Sequence, residues 1–428
     1  MTPYFIAFGL ILATVFGMPL FAVILAVAMI GFAAAGIDLS VIAIEIYRLA
    51  DTPLLVALPL FTLAGYVMAE SRTSERLVRL TQAIIGWIPG GLVIVSLLAC
   101  AVFTAFTGAS GVTIVALGAL LLPALKKAQY GDRFSLGLVT TSGSLGLLLP
   151  PSIPLVLYGI ITQQLSLGID VKVEDLFLAG LLPGLLMIIL LIAWSLWAIR
   201  KNPLPQTVFS PREVLQALRE AFWEVPLPIF ILIGVYSGFL AISEAAAVAA
   251  LYVIVVEVFV YKDIRLTQLP GIIERSMMVC GGILLIIGVS LASTNYLIDA
   301  EIPMKLFDLI QKYINNKLVF LILLNLFLLV LGAILDIFSA LVIMVPLILP
   351  VAVKYGIDPV HFGIIFLANM QIGYFTPPVG MNLFIASYRF NLPVDTIYRS
   401  TLPFMLVLLT ALLVITYWPG LSLMLLQR

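Results

Sequence analysis

Charge is scarce in this sequence. Of its 428 residues only 10% are Asp, Glu, Lys or Arg, whereas 63% are hydrophobic. A soluble domain of this size cannot hide so much apolar surface from water, so its solvent must be lipid. The 22 basic and 22 acidic residues balance, which gives no indication of a nucleic-acid partner. The composition therefore predicts an all-α polytopic protein in contact with membrane lipid.

Histidine and cysteine are also rare. The single histidine, His361, excludes a multi-histidine metal site, and we interpret it as a connector residue rather than a proton carrier. Cys100 and Cys280 both lie in apolar runs, so buried free thiols are expected. An intramembrane enzyme needs a nucleophile with its base, or a metal cluster. The sequence offers little for either, and we predict that the chain is not an enzyme.

Long apolar runs divide the chain into a first half, 1–224, and a second half, 225–428. The uncharged N-terminal run is too long for one crossing of a ~30 Å hydrocarbon core, so we split it near Gly17 and Pro19. An amphipathic connector at 200–224 is basic enough to favour the cytoplasmic side. Uninterrupted spans are expected at 53–69, 176–199, 225–241, 243–261, 272–298 and 400–426.

Each half also contains an apolar stretch with small and polar residues in its middle. The first runs over about 83–125 and holds TGASG at 107–111; the second runs over about 318–354 and is broken between Gly332 and Ser339. Two full spans with an external loop are one interpretation, and a re-entrant hairpin is the other. The small polar tip favours the hairpin, because irregular backbone at that depth is tolerated only beside protein or water.

A span broken by two prolines follows each hairpin, at 134–163 and at 361–388. Proline removes a backbone donor and prevents a continuous helix. Pro123 and Pro350 are separated by 227 residues, and the corresponding members of the two Pro-Pro pairs have the same separation. If the hairpins do not cross, each half crosses five times, and an odd number inverts the second half relative to the first. This pattern is typical of transporters built from inverted repeats around broken helices.

The motifs along the whole chain resemble the large membrane subunit of the tripartite ATP-independent periplasmic (TRAP) transporters. One departure from the family pattern is Ser243, where threonine is usual; it keeps the hydroxyl. The motifs that carry the resemblance are, in chain order, DTPLLVALPLFTLAGYVMAES, GWIPGGL, GLLLPPSIPLVLYG, SEAAAVAALY, TPPVGMNLFIAS and LPFMLVLLTALLVITYWPGLSL.

The resemblance implies an elevator-type fold, similar to the ion transporter superfamily, in a bacterial inner membrane. It implies sodium as the coupling ion, no cofactor, and import of a small organic anion such as sialic acid or a C4-dicarboxylate. It also implies two protein partners, a periplasmic substrate-binding protein and a small four-helix membrane subunit. The small subunit is expected to be a separate polypeptide. The alternative is a sodium-coupled carboxylate carrier of the same fold that needs no binding protein.

The hairpin tips and helix breaks supply the candidate site residues, because unwound helices expose carbonyl oxygens without adding charge. The half-helices that follow the breaks point positive dipole ends inward, which suits a carboxylate. The predicted substrate-binding residues are Thr107, Gly108, Ser144, Pro151, Thr376, Pro378, Asn382 and Arg389. The predicted sodium-binding residues are Ser110, Gly111, Thr113, Ser142, Gly146, Gly332, Asp336, Ser339, Gln371, Gly373 and Thr376.

Each assignment has a structural alternative. Small residues also let helices pack closely, although breaks at matched spacing in both halves favour a functional interpretation. Asp336, the only acid in its apolar run, is assigned to the second sodium site or its surroundings, with a helix cap as the alternative. Arg389 is a candidate partner of an anionic cargo, but a cytoplasmic anchor at a helix end is the favoured interpretation.

Overall fold

The computed structural model describes residues 12, 16–50, 52–165, 171–200, 209–377 and 379–426. All regular secondary structure within these ranges is helical. Eight of the described helices are long and apolar enough to cross a membrane, and the bent pair around residue 150 gives a ninth span if it is counted as one. The predicted all-α polytopic class is confirmed.

The first half begins with α1 directly after Pro19, as the split of the N-terminal run predicts; the preceding span lies largely outside the described residues. The helices of this half are α1 Leu20–Ala34, α2 Ser40–Ala50, α3 Ala57–Glu70 (entered by a 3-10 turn Pro53–Val56), α4 Thr73–Ile85, α5 Gly91–Thr107, α6 Ser110–Lys127, α7 Asp132–Ser142, a 3-10 turn Leu145–Leu148, α8 Ile153–Gln164, α9 Val173–Ile199 and α10 Pro211–Glu220.

The second half ends in a long helix followed by a single turn. Its helices are α11 Pro226–Tyr236, α12 Ile242–Ile254 (continued by a π-helical turn Val255–Val260), α13 Leu269–Asp299, α14 Ile302–Tyr313, α15 Lys317–Ile334, α16 Ile337–Lys354, α17 Pro359–Gly373, α18 Met381–Phe390, α19 Val394–Tyr417 and α20 Gly420–Leu423.

Two predicted boundaries need correction. The first hairpin starts at Gly91 rather than near residue 83, because α4 continues to Ile85 and a turn with Gly90 in the left-handed region separates the two helices. The span predicted over 225–241 is too long. Its helix α11 has 11 residues, or about 16 Å, which is about half of a bilayer core. The chain turns at Gly238, whose φ is +71°, so five crossings in this half no longer follow from helix length.

The repeat is visible in the helix boundaries. Helix α6 and helix α16 both have 18 residues, and each end of one is 227 positions from the corresponding end of the other. The same offset relates the end of α5 to the end of α15, and the start of α7 to the start of α17. Two stretches with little sequence identity therefore build the same hairpin followed by the same broken helix. The division of the chain at residues 224 and 225 stays a prediction.

The two repeats interlock at their hairpins and broken helices. Helix α18 of the second half packs on α6 of the first, and the equivalent helix α8 packs on α16. The first break contacts α5, α9 and α17, while α13 packs against α1, α2 and α3 and also contacts α16. This arrangement brings the tips and breaks of both halves into one buried region.

Candidate functional site

The first hairpin turns at Gly108. Its φ of +63° lies in the left-handed region, which glycine adopts without a steric penalty. A Cβ at this position would also lie 2.7 Å from the Ile153 side chain at the start of α8. The tip is thus pressed against the half-helix that follows the first break, and Gly108 fits both the turn and the contact.

A buried threonine pair joins the two arms of this hairpin to the break. Thr104 Oγ1 lies 2.7 Å from Thr113 Oγ1 and donates to the carbonyl oxygen of Gly143, 2.9 Å away. Both threonines are fully buried. Thr113 was predicted from the sequence and Thr104 was not. A lone threonine inside an apolar helix usually bonds its own i−4 carbonyl, as Thr104 also does to Cys100, so its sequence context gave no signal.

The first tip contacts the second half through Ser110. Its hydroxyl donates to Asn382 Oδ1 at 2.7 Å, although the sequence assigned Ser110 to sodium and Asn382 to substrate. The Asn382 Nδ2 atom is buried and has no hydrogen-bond partner among the described residues. Beside them, a Cβ at Gly111 would lie 2.6 Å from Ile385 Cδ1 of α18. These residues form one contact surface between the hairpin and the opposite broken helix.

The two breaks meet at equivalent positions. Ser144 Oγ shares its proton between the carbonyl oxygens of Thr141, at 3.3 Å, and Gln371, at 3.2 Å. Ser144 and Gln371 are separated by 227 positions, the offset of the repeat. A contact between equivalent residues lies at the axis that relates two repeats. Both atoms of the Gln371 amide group are buried there and lack partners in the described part of the chain.

Each break is packed against its own hairpin by a glycine. A Cβ at Gly373 would lie 2.6 Å from Gly332 Cα, and one at Gly146 would lie 2.2 Å from the Ala101 carbonyl oxygen. Gly146 and Gly373 again differ by 227 positions. In both halves the first arm of the hairpin touches the break backbone to backbone, so neither glycine tolerates a side chain without separation of the helices.

Asp336 caps a helix. Its Oδ1 accepts from Phe338 N and Ser339 N, both at 3.0 Å, and Ser339 Oγ donates to Oδ2. The side chain is half-buried, so it is less secluded than its apolar sequence context indicated. The buried Tyr374 hydroxyl, from the second break, accepts from Ile337 N at 2.9 Å and fixes this tip from the other side. The geometry displays the capping role; a sodium role for Asp336 and Ser339 stays a prediction.

The remaining predicted residues are less closely joined. Thr107 Oγ1 is buried without a partner among the described residues. The Ser142 hydroxyl donates to a carbonyl of its own helix, and the Thr376 hydroxyl donates to the Ile372 carbonyl at the end of α17. Pro151 is buried after a cis Pro150–Pro151 peptide. Pro378 lies outside the described residues. The exposed Arg389 donates from Nε to the Val115 carbonyl oxygen of α6 at 3.2 Å, so its side chain lies against the first hairpin.

A polar network in the second half was not predicted. Asn325 of α15 bonds both Asn369 Nδ2, at 2.7 Å, and the Thr416 hydroxyl, at 3.0 Å. His361 lies between Ser422 Oγ and the Thr416 carbonyl oxygen, at 3.2 and 3.3 Å. The interpretation of His361 as a connector residue is wrong, because it is buried in the first turn of α17. The network ties α15, α17 and the C-terminal helices together.

The family model of the tripartite ATP-independent periplasmic transporter, DctM component, matches residues 4–421. This chain belongs to that family. The resemblance seen in the sequence motifs is confirmed, and so is the multi-pass membrane character. The helical hairpins and breaks described above are therefore features of a TRAP large subunit.

Known relatives extend over nearly the whole chain. The "C4-dicarboxylate TRAP transporter large permease protein DctM" of Pseudomonas aeruginosa is 35% identical over 89% of this chain and 88% of that protein. The "Isethionate TRAP transporter permease protein DctMQ" of Oleidesulfovibrio alaskensis is 31% identical over 91% of this chain but only 60% of that protein. Both relatives are named as permeases rather than enzymes.

A solved structure has a similar fold. The YdaH transporter of Alcanivorax borkumensis, whose crystal structure is described as showing an unusual topology, aligns with a TM-score of 0.63 over 89% of this chain and 87% of that one. Its sequence identity is 15%, so the likeness concerns the fold alone.

Proposed function

We propose that this chain is the membrane-embedded permease of a sodium-coupled importer for a small organic anion in a bacterial inner membrane. The observation that carries the proposal is the meeting of the two breaks at Ser144 and Gln371, 227 positions apart. Two half-helices per repeat end near this point, with backbone carbonyls at one end and positive helix N-termini at the other. Such a region supplies oxygen atoms for a cation and a favourable field for an anion.

The donor set around the first break fits sodium, which as a hard cation takes oxygen ligands. The Thr113 hydroxyl and the Gly143 carbonyl oxygen each lie within 3 Å of the Thr104 hydroxyl. Thr107 Oγ1 and Gln371 Oε1 are buried oxygen atoms without partners in the described ranges, and a buried polar atom is costly unless something binds it. These atoms are where we place the ion-binding function.

The cargo class follows from the relatives. One is named for C4-dicarboxylates and another for isethionate, which carry carboxylate and sulfonate groups, so an anionic cargo is the common feature. Their identities to this chain are similar, and the fold does not distinguish between them. We propose an organic acid, with sialic acid and C4-dicarboxylates as the first candidates.

The partners are proposed on the same basis. The isethionate relative is longer than this chain, and the DctMQ name joins two components in one protein. We propose that this chain works with a separate small membrane subunit and a periplasmic binding protein that delivers the cargo. We further propose that the hairpins and broken helices move as one body, since Ser110–Asn382 and Ser144–Gln371 tie them together.

The test is uptake of labelled organic acids into proteoliposomes that contain this chain and its small partner, with and without an inward sodium gradient and the cognate binding protein. Uptake that needs both establishes the proposal and identifies the cargo. Uptake that needs sodium alone points instead to the stand-alone carrier. Uptake that ignores sodium in every condition refutes the coupling.

The first tip provides a loss-of-function control for this assay. Ser110→Ala with Gly111→Ala removes the hydroxyl bonded to Asn382 and places a methyl group 2.6 Å from Ile385. We expect uptake to be lost while the binding protein still docks, as measured by co-purification. Full uptake in the double variant would mean that the tip is only a packing element.

A further inference from the structure

One arginine on α4 is the ion-pair partner of three carboxylates from distant parts of the chain. Arg76 contacts Glu224 through Nε at 2.6 Å, Glu257 through Nη2 at 3.0 Å and Asp263 through Nη1 at 2.7 Å. Its guanidinium lies 3.9 Å from the centre of the Tyr261 ring. Helix α4 leads into the first hairpin, so this cluster, the Arg76 junction, joins the base of that hairpin to the segment between α10 and α13.

The junction carries more negative than positive charge. The side chains of Glu224 and Glu257 are 3% and 2% exposed, and that of Arg76 is 11% exposed. One guanidinium therefore faces three carboxylates in a largely desolvated place, where an uncompensated charge is costly. The adjacent cavity of about 340 Å³ is lined by two further arginines, Arg72 and Arg79, and Arg79 already pairs with two other glutamates.

The other wall residues complete the electrostatic surroundings. Arg72 and Glu75 also line this cavity, and the Arg72 backbone N–H donates to Asp263 Oδ2. Arg79 pairs with Glu213 and Glu220. The wall thus holds three arginines and three carboxylates, Glu75, Glu220 and Asp263. Of these arginines, Arg76 is the one that pairs with the buried glutamates.

The three carboxylates differ in the number of hydrogen bonds that they accept. Asp263 Oδ2 accepts from Arg76 and from the Arg72 backbone. Glu257 has a donor on each oxygen, Thr73 Oγ1 at 3.0 Å and Arg76 Nη2. Glu224 Oε1 accepts from Arg76, whereas its Oε2 is buried with no hydrogen-bond partner among the described residues. An ionised oxygen without a donor pays the full desolvation cost, and a proton on it removes most of that cost.

The neighbouring hydroxyl groups of Thr73, Tyr252 and Tyr261 donate to atoms other than Glu224 Oε2. The Thr73 hydroxyl lies near both glutamates but gives its one proton to Glu257. Tyr252 donates to the Trp223 carbonyl oxygen and Tyr261 to the Glu220 carbonyl oxygen, each at 2.6 Å. A metal ion is not favoured either, since no three acidic, histidine or cysteine side chains in the described ranges are arranged to hold one.

We propose that Glu224 is a proton-binding site and that its occupancy sets the strength of the Arg76 junction. With the proton bound, the cluster carries one excess negative charge; without it, two excess charges share a buried site. The junction is therefore tighter in the protonated state, and the base of the first hairpin is held more firmly on α12.

The pKa shifts that burial and the neighbouring charges cause agree with this geometry. Burial raises the pKa of Glu224 to about 7, an effect that Arg76 only partly offsets and to which the Glu257 charge adds. Burial lowers the pKa of Arg76, but the two glutamates outweigh it and the net direction is upward, so the guanidinium stays charged. The proton is exchanged on Glu224, near neutral pH.

Infrared difference spectroscopy of the purified full-length protein tests the proposal. A protonated buried carboxyl gives a C=O stretching band that is separate from carboxylate bands. We expect the wild type to show such a band that disappears as the pH rises through about 7. It should be lost in Glu224→Gln and kept in the matched control Glu213→Gln, which removes a half-exposed glutamate.

Two results would overturn the proposal: no titrating band in the wild type, or a band that survives Glu224→Gln. If Glu224→Gln does not fold, Glu224→Asp serves instead, because a shorter acid in the same place must change the frequency or the midpoint of the band. An unchanged band in that variant would assign the proton to another residue. None of these readouts depends on cargo or sodium, so they are separate from the test of transport.

Discussion

The close backbone approach between Gly373 and Gly332 can be tested by the addition of one methyl group. In Gly373→Ala the new Cβ would lie 2.6 Å from both Cα and C of Gly332. Nonbonded carbon atoms prefer about 3.5–4.0 Å, so α15 and α17 must separate by about 1 Å. The neighbour is backbone rather than a flexible side chain, so no rotamer change relieves the contact.

The expected cost lies toward the upper end of the roughly 1–3 kcal/mol that overpacking usually causes. If about 1.4 kcal/mol of this cost weakens the binding of sodium, the half-saturating sodium concentration rises about tenfold. Gly146→Ala should act alike, because its Cβ would lie 2.2 Å from the Ala101 carbonyl oxygen. The two variants probe equivalent contacts in the two repeats.

Thermal unfolding in detergent, followed by a thiol-reactive fluorophore, is a suitable assay because Cys100 and Cys280 are both buried free thiols. A ligand that binds only the folded state raises the midpoint, so we compare midpoints in sodium and potassium chloride. Gly282→Ala is the matched control, since its Cβ would have no neighbour within 4 Å. If Gly373→Ala melts like Gly282→Ala and keeps the full sodium effect, the close-approach argument is wrong.

Three further predictions use the same assay. Asp336→Asn should keep the helix cap, since asparagine also caps well, but reduce the midpoint shift caused by sodium; an unchanged shift removes Asp336 from ion binding. Asn325→Leu should lower the free energy of unfolding by about 1–3 kcal/mol, because Asn369 loses its acceptor. The double variant with leucine at both 325 and 369 should lose less than the sum of the two single variants, and a loss equal to that sum would contradict the network. The wild-type midpoint should fall as the pH rises from about 4.5 to 7, because folded Glu224 holds its proton more tightly than the unfolded chain, and Glu224→Gln should flatten this slope.

Local signals made the hairpins and breaks predictable from the sequence. Gly108 marks a left-handed turn and Pro150 a helix break, and both act within a few residues of themselves. The constant offset of 227 then predicted that the second half would repeat them. The end of α11 was missed because Gly238 lies in an otherwise apolar run, where the hydropathy pattern alone indicates a continuous span.

Long-range pairs were not predictable in this way. Arg76 and Glu257 are separated by 181 positions, and without the fold each looks like an isolated charge at a helix end. In the sequence, Arg76 has the position of a basic flank beside an apolar run, yet in the structure it pairs with three acidic residues. The role of Asp336 illustrates the same limit, since its sequence context fits a cap and an ion site equally well.

The two repeats share a backbone but differ in chemistry at their tips. The offset of 227 places Ala109, which caps α6 without any side-chain bond, opposite Asp336, which caps α16 with a carboxylate. Ion sites at these tips would therefore have different ligands: neutral hydroxyl and carbonyl oxygens in the first half, and a nearby negative charge in the second. The second site should then gain more from electrostatic attraction. It follows that Asp336→Asn should leave a residual sodium response from the first half. A complete loss in Asp336→Asn alone would mean that the two tips form one coupled site rather than two.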